Sequence, residues 1–147
     1  MILVDLNLLI YASDPPLPQY AAARAWLDER LNQSARVGIP WQSILGYVRI
    51  MTNPRIVQRP ATIEAAWNHV QSWLGVPNVW IPTPGPAGPA ILGRMLQYAR
   101  GGANLIPDAA LAALAIEHGL TLCSNDGDFA RFPGLKWTDP LAPARKR

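Results

Sequence analysis

The stretch Pro107-Asp-Ala-Ala-Leu-Ala-Ala-Leu-Ala-Ile-Glu-His118-Gly119-Leu-Thr121-Leu-Cys-Ser124 decides the fold. Proline opens a helix well, because its missing N–H belongs to a first turn that is unsatisfied anyway. Glycine just past His118 suits the left-handed residue that ends many helices. These two marks bracket a helix over Pro107–His118. The apolar run Thr121–Ser124 follows almost at once and reads as a buried strand.

The same alternation extends in both directions. Ile2, Leu3 and Val4 form a continuous apolar run, read as a strand that Asp5 ends. A short helix over Leu6–Ala12 follows, then the breaker Asp14-Pro15-Pro16. Apolar residues at helical spacing predict helices over Leu17–Asn32, Trp41–Thr52 and Thr62–Leu74. Strands are expected at Val37–Ile39, Asn78–Ile81 and Lys136–Thr138. Pro82 to Pro89 holds four prolines and two glycines and reads as a loop. A helix over Ala90–Tyr98 ends near Gly101-Gly102, and Phe129–Phe132 is a helical turn. Strands alternating with helices predict an α/β three-layer domain. Its central, mainly parallel sheet has four to five strands flanked by helices. Ligands in such sheets bind beyond the carboxyl ends of the strands.

The chain has 147 residues, about one domain's worth. A single domain is expected over 1–140, with a basic tail over 141–147 ending in Arg145-Lys146-Arg147. Half the residues are hydrophobic and 16% are charged, against disorder. One cysteine excludes a disulfide framework and a cysteine-based zinc cluster. No apolar run approaches the roughly 18 residues of a membrane span. The N-terminus lacks the basic and small-residue marks of a signal peptide, so the expected compartment is the cytoplasm. The net charge of +3 suits a polyanionic partner without requiring one.

Ten acidic residues are present. Asp14, Asp28, Glu29, Glu64 and Glu117 fall in loops or on helices, where solvent exposure accounts for them, and Asp139 lies near the tail. Four remain. Asp5 and Asp126 follow strands directly and so stand at carboxyl ends. Asp128 shares the turn of Asp126, and Asp108 lies in the first turn of the Pro107 helix. Each has an ordinary explanation alone: a helix cap for Asp5, a turn for Asp126 and Asp128, a dipole partner for Asp108. Together they aim carboxylates from three segments at one sheet edge. Such crowding is relieved by a divalent cation, and hard oxygen ligands suit Mg²⁺ or Mn²⁺. The implied reaction is phosphodiester hydrolysis by metal-activated water.

These segments resemble the PIN-domain ribonucleases, in particular the VapC toxins of type II toxin–antitoxin pairs. The likeness rests on Ile2-Leu-Val-Asp5-Leu-Asn7, Asn104-Leu-Ile-Pro107-Asp108 and Thr121-Leu-Cys-Ser-Asn-Asp126-Gly-Asp128-Phe129, with Gly46-Tyr-Val-Arg49-Ile-Met-Thr52-Asn53-Pro54-Arg55 between them. It implies a Mg²⁺-dependent endoribonuclease, with Mn²⁺ as a substitute. Asp5, Asp108 and Asp126 would be catalytic, and those three with Asp128 would be metal ligands. The substrate would be RNA, and the partners a VapB-type antitoxin and a second copy in a homodimer. Arg49 and Arg55 are candidate contacts to RNA phosphates or plain surface residues. Asn7, Asn104 and Ser124 are candidate supports for the ligands, and Trp41 a candidate for base stacking.

One departure stands out. Many family members carry a glutamate on the third helix, where this chain has Gly46. The gap would admit water, metal or substrate, or would mark a weak site. A catalytically weak or inactive RNA-binding or interaction module is therefore the alternative. A small-molecule phosphatase is a third reading, lowered by the absence of a Walker-type glycine loop.

Overall fold

The computed structural model describes residues 1–144, so Arg145-Lys146-Arg147 of the expected tail lie outside the described residues. Five short strands form the sheet: β1 (Ile2–Val4), β2 (Val37–Gly38), β3 (Val79–Trp80), β4 (Thr121–Cys123) and β5 (Trp137–Thr138). Their order is β3-β2-β1-β4-β5, and every neighbouring pair is parallel. The helices are α1 (Leu6–Tyr11), α2 (Tyr20–Leu31), α3 (Trp41–Met51), α4 (Ile63–Leu74), α5 (Gly88–Leu96) and α6 (Ile106–His118).

Adjacent residues of a strand point to opposite faces, and in β1 this builds two cores. Val4 packs with Leu8, Leu27, Ile44 and Val70 of α1 to α4. Leu3 packs with Ile91 and Met95 of α5 and with Ala109, Ala112 and Ala115 of α6. Cys123 and Leu122 of β4 divide in the same way. The chain is thus the expected three-layer α/β fold, and β1 is apolar throughout because both its faces are covered. Cys123 is a buried free thiol, and Leu141 packs against the first core.

Some boundaries differ from the sequence reading, for local reasons. The helix expected from Leu17 begins at Tyr20. Pro15, Pro16 and Pro18 offer no N–H, and the intervening chain forms turns, with Leu17 N–H on the Asp14 carbonyl at 3.0 Å. α5 begins at Gly88 rather than Ala90, because Pro89 fits its first turn. Its expected end tightens into a 3₁₀ turn over Gln97–Ala99. α6 ends where Gly119 takes φ 66°, and Leu120 N–H returns to the Ala115 carbonyl at 2.8 Å.

Two side chains tie the start of α3 to the strand edge. Ser43 Oγ donates to the Val4 carbonyl at 3.0 Å, and Gln42 Nε2 donates to the Pro107 carbonyl at 3.0 Å. Val4 and Pro107 immediately precede Asp5 and Asp108, so these bonds fix the two backbones relative to each other. Neither contact has a marker in the sequence beyond the helix start after Pro40.

Candidate metal centre

The site is assembled by strand register. Val4 pairs with Cys123, so Asp5 and Ser124 emerge side by side at the carboxyl edge, and Asp5 N–H donates to the Cys123 carbonyl at 3.0 Å. Asp5 caps α1: its Oδ1 accepts from Leu6 N–H at 2.7 Å. The ordinary cap role therefore holds alongside any other. Its second oxygen accepts from Ser124 Oγ at 2.7 Å. The same hydroxyl accepts from Asn7 Nδ2 at 3.1 Å and from Asp126 N–H at 3.0 Å. Buried Ser124 is the hub that orients the strand ends.

Asp126 Oδ1 accepts from Asp128 N–H at 2.9 Å and caps the 3₁₀ turn Gly127–Arg131. Asp108 comes from the first turn of α6. One carboxylate oxygen each of Asp108, Asp126 and Asp128 lie within 4.8 Å of one another. Asp5 stands beside this trio rather than in it; its charge is felt at Asp108, and it feels the charge of Asp126 in turn.

The electrostatics report the crowding. Burial, then the charges of Asp126, Asp5 and Asp128, push the Asp108 carboxyl up to about 6, with Arg131 pulling the other way. Asp5 is also raised, chiefly by burial, against the lowering effect of its bonds from Ser124 and Leu6. Arg131, unremarked in the sequence reading, pairs with Asp128 at 3.2 Å across three residues of one turn. An acid followed by arginine at that spacing was the available signal.

The donor set fits a hard divalent cation: several carboxylate oxygens, no sulfur or imidazole, and anionic repulsion that a cation would relieve. The slot at Gly46 is not open space. A Cβ there would lie 2.6 Å from Leu6 Cδ2, so the Leu6 side chain occupies the volume. The expectation of room for water, metal or substrate is corrected, and α3 supplies no carboxylate.

Beside the acids runs a cleft of about 430 Å³ whose lining includes Asp5, Asn7, Ile10, Ile50, Ile56 and Asp126. Arg49 and Arg55 are exposed. They do not line it, although their neighbours Ile50 and Ile56 do. Asn104 is exposed, and Trp41 is 44% exposed at the start of α3. Two acids assigned to solvent are not there. Asp14 is buried and lines the cleft. Glu117 is half-buried and accepts from Gly85 N–H at 2.9 Å, which holds the proline-rich loop.

The sequence profile of the PIN domain matches residues 2–135. Ribonuclease VapC37 of Mycobacterium tuberculosis is 41% identical over 142 residues, covering 97% of this chain and 99% of that protein. Ribonuclease VapC33 of the same organism is 39% identical over 141 residues, covering 96% and 99%. The solved structure of VapBC2 from Rickettsia felis bound to a DNA fragment from their promoter superposes with a TM-score of 0.68. It covers 94% of this chain and 98% of its own at 17% identity, a likeness of fold.

Proposed function

The chain belongs to the PIN-domain family, among its VapC ribonucleases, and we propose that it is the toxin of a type II toxin–antitoxin pair, a metal-dependent endoribonuclease restrained by a VapB-type antitoxin. The observation that carries the reading is the meeting of Asp108, Asp126 and Asp128 from two distant segments, with Asp5 from a third beside them.

Mg²⁺ is the ion assigned here, with Mn²⁺ as its substitute, and Asp5, Asp108, Asp126 and Asp128 are the residues that would hold it. When bound, the ion supplies Lewis acidity toward a phosphate oxygen and lowers the pKa of water. The chain's own groups do the positioning. Ser124 keeps the Asp5 carboxylate turned toward Asp126. Arg131 shares the charge of Asp128. The first turn of α6 favours the ionised form of Asp108, against the burial that disfavours it.

RNA is the substrate in this reading, with Arg49 and Arg55 as phosphate contacts on the exposed surface. A homodimer would cover exposed apolar side chains such as Leu45, 62% exposed. Among the described residues no helix is long and apolar enough to cross a membrane, and the assigned compartment is the cytoplasm. The division of the chain into a domain over 1–140 and a basic tail over 141–147 belongs to the same proposal.

The test is cleavage of structured RNA with Mg²⁺, Mn²⁺ or a chelator. The wild type should cut with either ion and not with chelator, and Asp5→Ala and Asp108→Ala should not cut. Cleavage that persists in both variants rejects the site. RNA binding without cleavage, unaffected by either change, favours the inactive-module alternative.

A further inference from the structure

Among the described residues, Arg131 is the cation whose charge is felt at Asp108. Its Nη2 donates to Asp128 Oδ1 at 3.2 Å, and its Nε donates to the Asp128 carbonyl at 3.2 Å. Both bonds close within the 3₁₀ turn Gly127–Arg131, so the turn that presents Asp128 also folds the guanidinium back onto it. Asp128 in turn has a carboxylate oxygen within 4.8 Å of those of Asp108 and Asp126. The guanidinium therefore sits at the rim of the metal centre.

Stability gives little reason for this pair. Its two side chains are 37% and 53% exposed, and an exposed pair at this spacing contributes little to folding. For the same reason it is released easily when a stronger anion arrives. The Arg24–Asp28 pair on α2 is exposed to a similar degree, but its carboxylate belongs to no metal-sized acidic cluster among the described residues.

Chemistry gives a better reason. Four carboxylates gather at this edge, and a phosphodiester would bring a further negative charge to it. Charge also grows on the phosphoryl and leaving oxygens as the bond breaks. Two-metal sites meet that charge with a second ion. Here α3 offers no carboxylate at Gly46, where Leu6 fills the space. A guanidinium keeps its charge at every working pH, and its planar fork matches two phosphate oxygens at once. Two of its five N–H donors are engaged on Asp128, which leaves others for RNA.

We propose that Arg131 is a catalytic residue of RNA cleavage: its guanidinium passes from Asp128 to the scissile phosphate and serves as the second cation of the reaction. This rests on the metal-dependent ribonuclease reading and names a residue beyond its carboxylates. In the balanced step the water oxygen bonds to phosphorus and the bond from phosphorus to the leaving sugar oxygen breaks. A proton of the water ends on that leaving oxygen, and Arg131 keeps its own protons throughout. Without RNA, Arg131 neutralises Asp128; with RNA bound, the phosphate takes the guanidinium.

The experiment uses the full-length chain, structured RNA and Mn²⁺ as the probe ion. Cleavage is followed as kcat and KM, and Mn²⁺ affinity is measured by calorimetry without RNA. Arg131→Gln should lower kcat about 100-fold or more. Its Mn²⁺ affinity should hold or rise, by up to about threefold, because a like charge has left. Arg131→Lys keeps the charge without the fork and should recover part of the rate. Millimolar guanidinium chloride should restore cleavage to Arg131→Ala and not to Asp108→Ala. Arg24→Gln, which breaks the other exposed pair, should cut at the wild-type rate. An unchanged kcat in Arg131→Gln overturns the proposal. So does a loss confined to KM, which makes Arg131 a binding contact, or one matched by weaker Mn²⁺ binding, which makes it a positioning residue for Asp128. A wild type that cuts no RNA with Mn²⁺ overturns the nuclease reading itself.

Discussion

Ser124 Oγ donates to Asp5 Oδ2 at 2.7 Å across 119 residues of chain. A hydroxyl has one proton and two lone pairs, and here all three are engaged: Asp5 takes the proton, while Asn7 Nδ2 and Asp126 N–H take the lone pairs. The parallel register of β1 and β4 makes this possible, because it brings the residues after Val4 and Cys123 level.

Ser124→Ala should therefore cost more than one hydrogen bond. Three polar groups lose a partner at a buried position, and the expected destabilisation is about 1–3 kcal/mol by urea denaturation. RNA cleavage should fall as well, since the Asp5 carboxylate is then free to turn. Unchanged stability and unchanged cleavage would remove Ser124 from the account.

Gly46 and Leu6 should behave as a coupled pair. Gly46→Ala gains helix propensity, about 1 kcal/mol in an exposed helix, but its Cβ meets Leu6 Cδ2 at 2.6 Å. The clash should cancel or reverse that gain. In a double-mutant cycle with Leu6→Ala, the two changes should be non-additive by at least about 0.5 kcal/mol, in the direction of relief. Strict additivity would mean that Leu6 does not fill the slot.

The apo protein should lose stability as pH rises through the range where Asp108 ionises. Its folded carboxyl sits at about 6, above the ordinary 3.8, so the folded state holds the proton more tightly than the unfolded chain. That contribution is complete below about pH 4 and is lost as pH climbs past 6; Asp5, raised in the same direction, adds to it. Thermal melts without divalent ions should show Tm falling over this window, and Asp108→Asn should flatten the fall. Saturating Mg²⁺ should raise Tm most at pH 7, where the carboxylates are ionised. A Tm that rises from pH 4 to 7 and is unaffected by Asp108→Asn would contradict the crowding.

Much of this was legible in the sequence. The helix over Pro107–His118, closed by Gly119, and the apolar runs at Ile2 and Thr121 carry the fold, because a strand buried on both faces must be apolar throughout. Asp5, Asp108, Asp126 and Asp128 stand out as candidates by their places after strands and at a helix start. Their convergence depends on β1 pairing with β4, a contact between chain ends that local pattern does not contain. The burial of Asp14 and Glu117 was missed for the same reason. Charge predicts exposure on average, while the walls around Asp14 come from residues as far along as Ile50, Ile56 and Val57. The Gly46 slot was misread because a glycine shows only the absence of its own side chain, and not that Leu6 enters the space.

The most direct measurement is a crystal of the chain soaked in Mn²⁺, with the anomalous signal used to locate the ion. The account predicts a peak contacted by carboxylate oxygens of Asp108 and Asp126 with Asp5 or Asp128, and its loss in Asp108→Asn. A peak elsewhere, or none at an ion concentration that supports RNA cleavage, would contradict a metal centre built from these carboxylates.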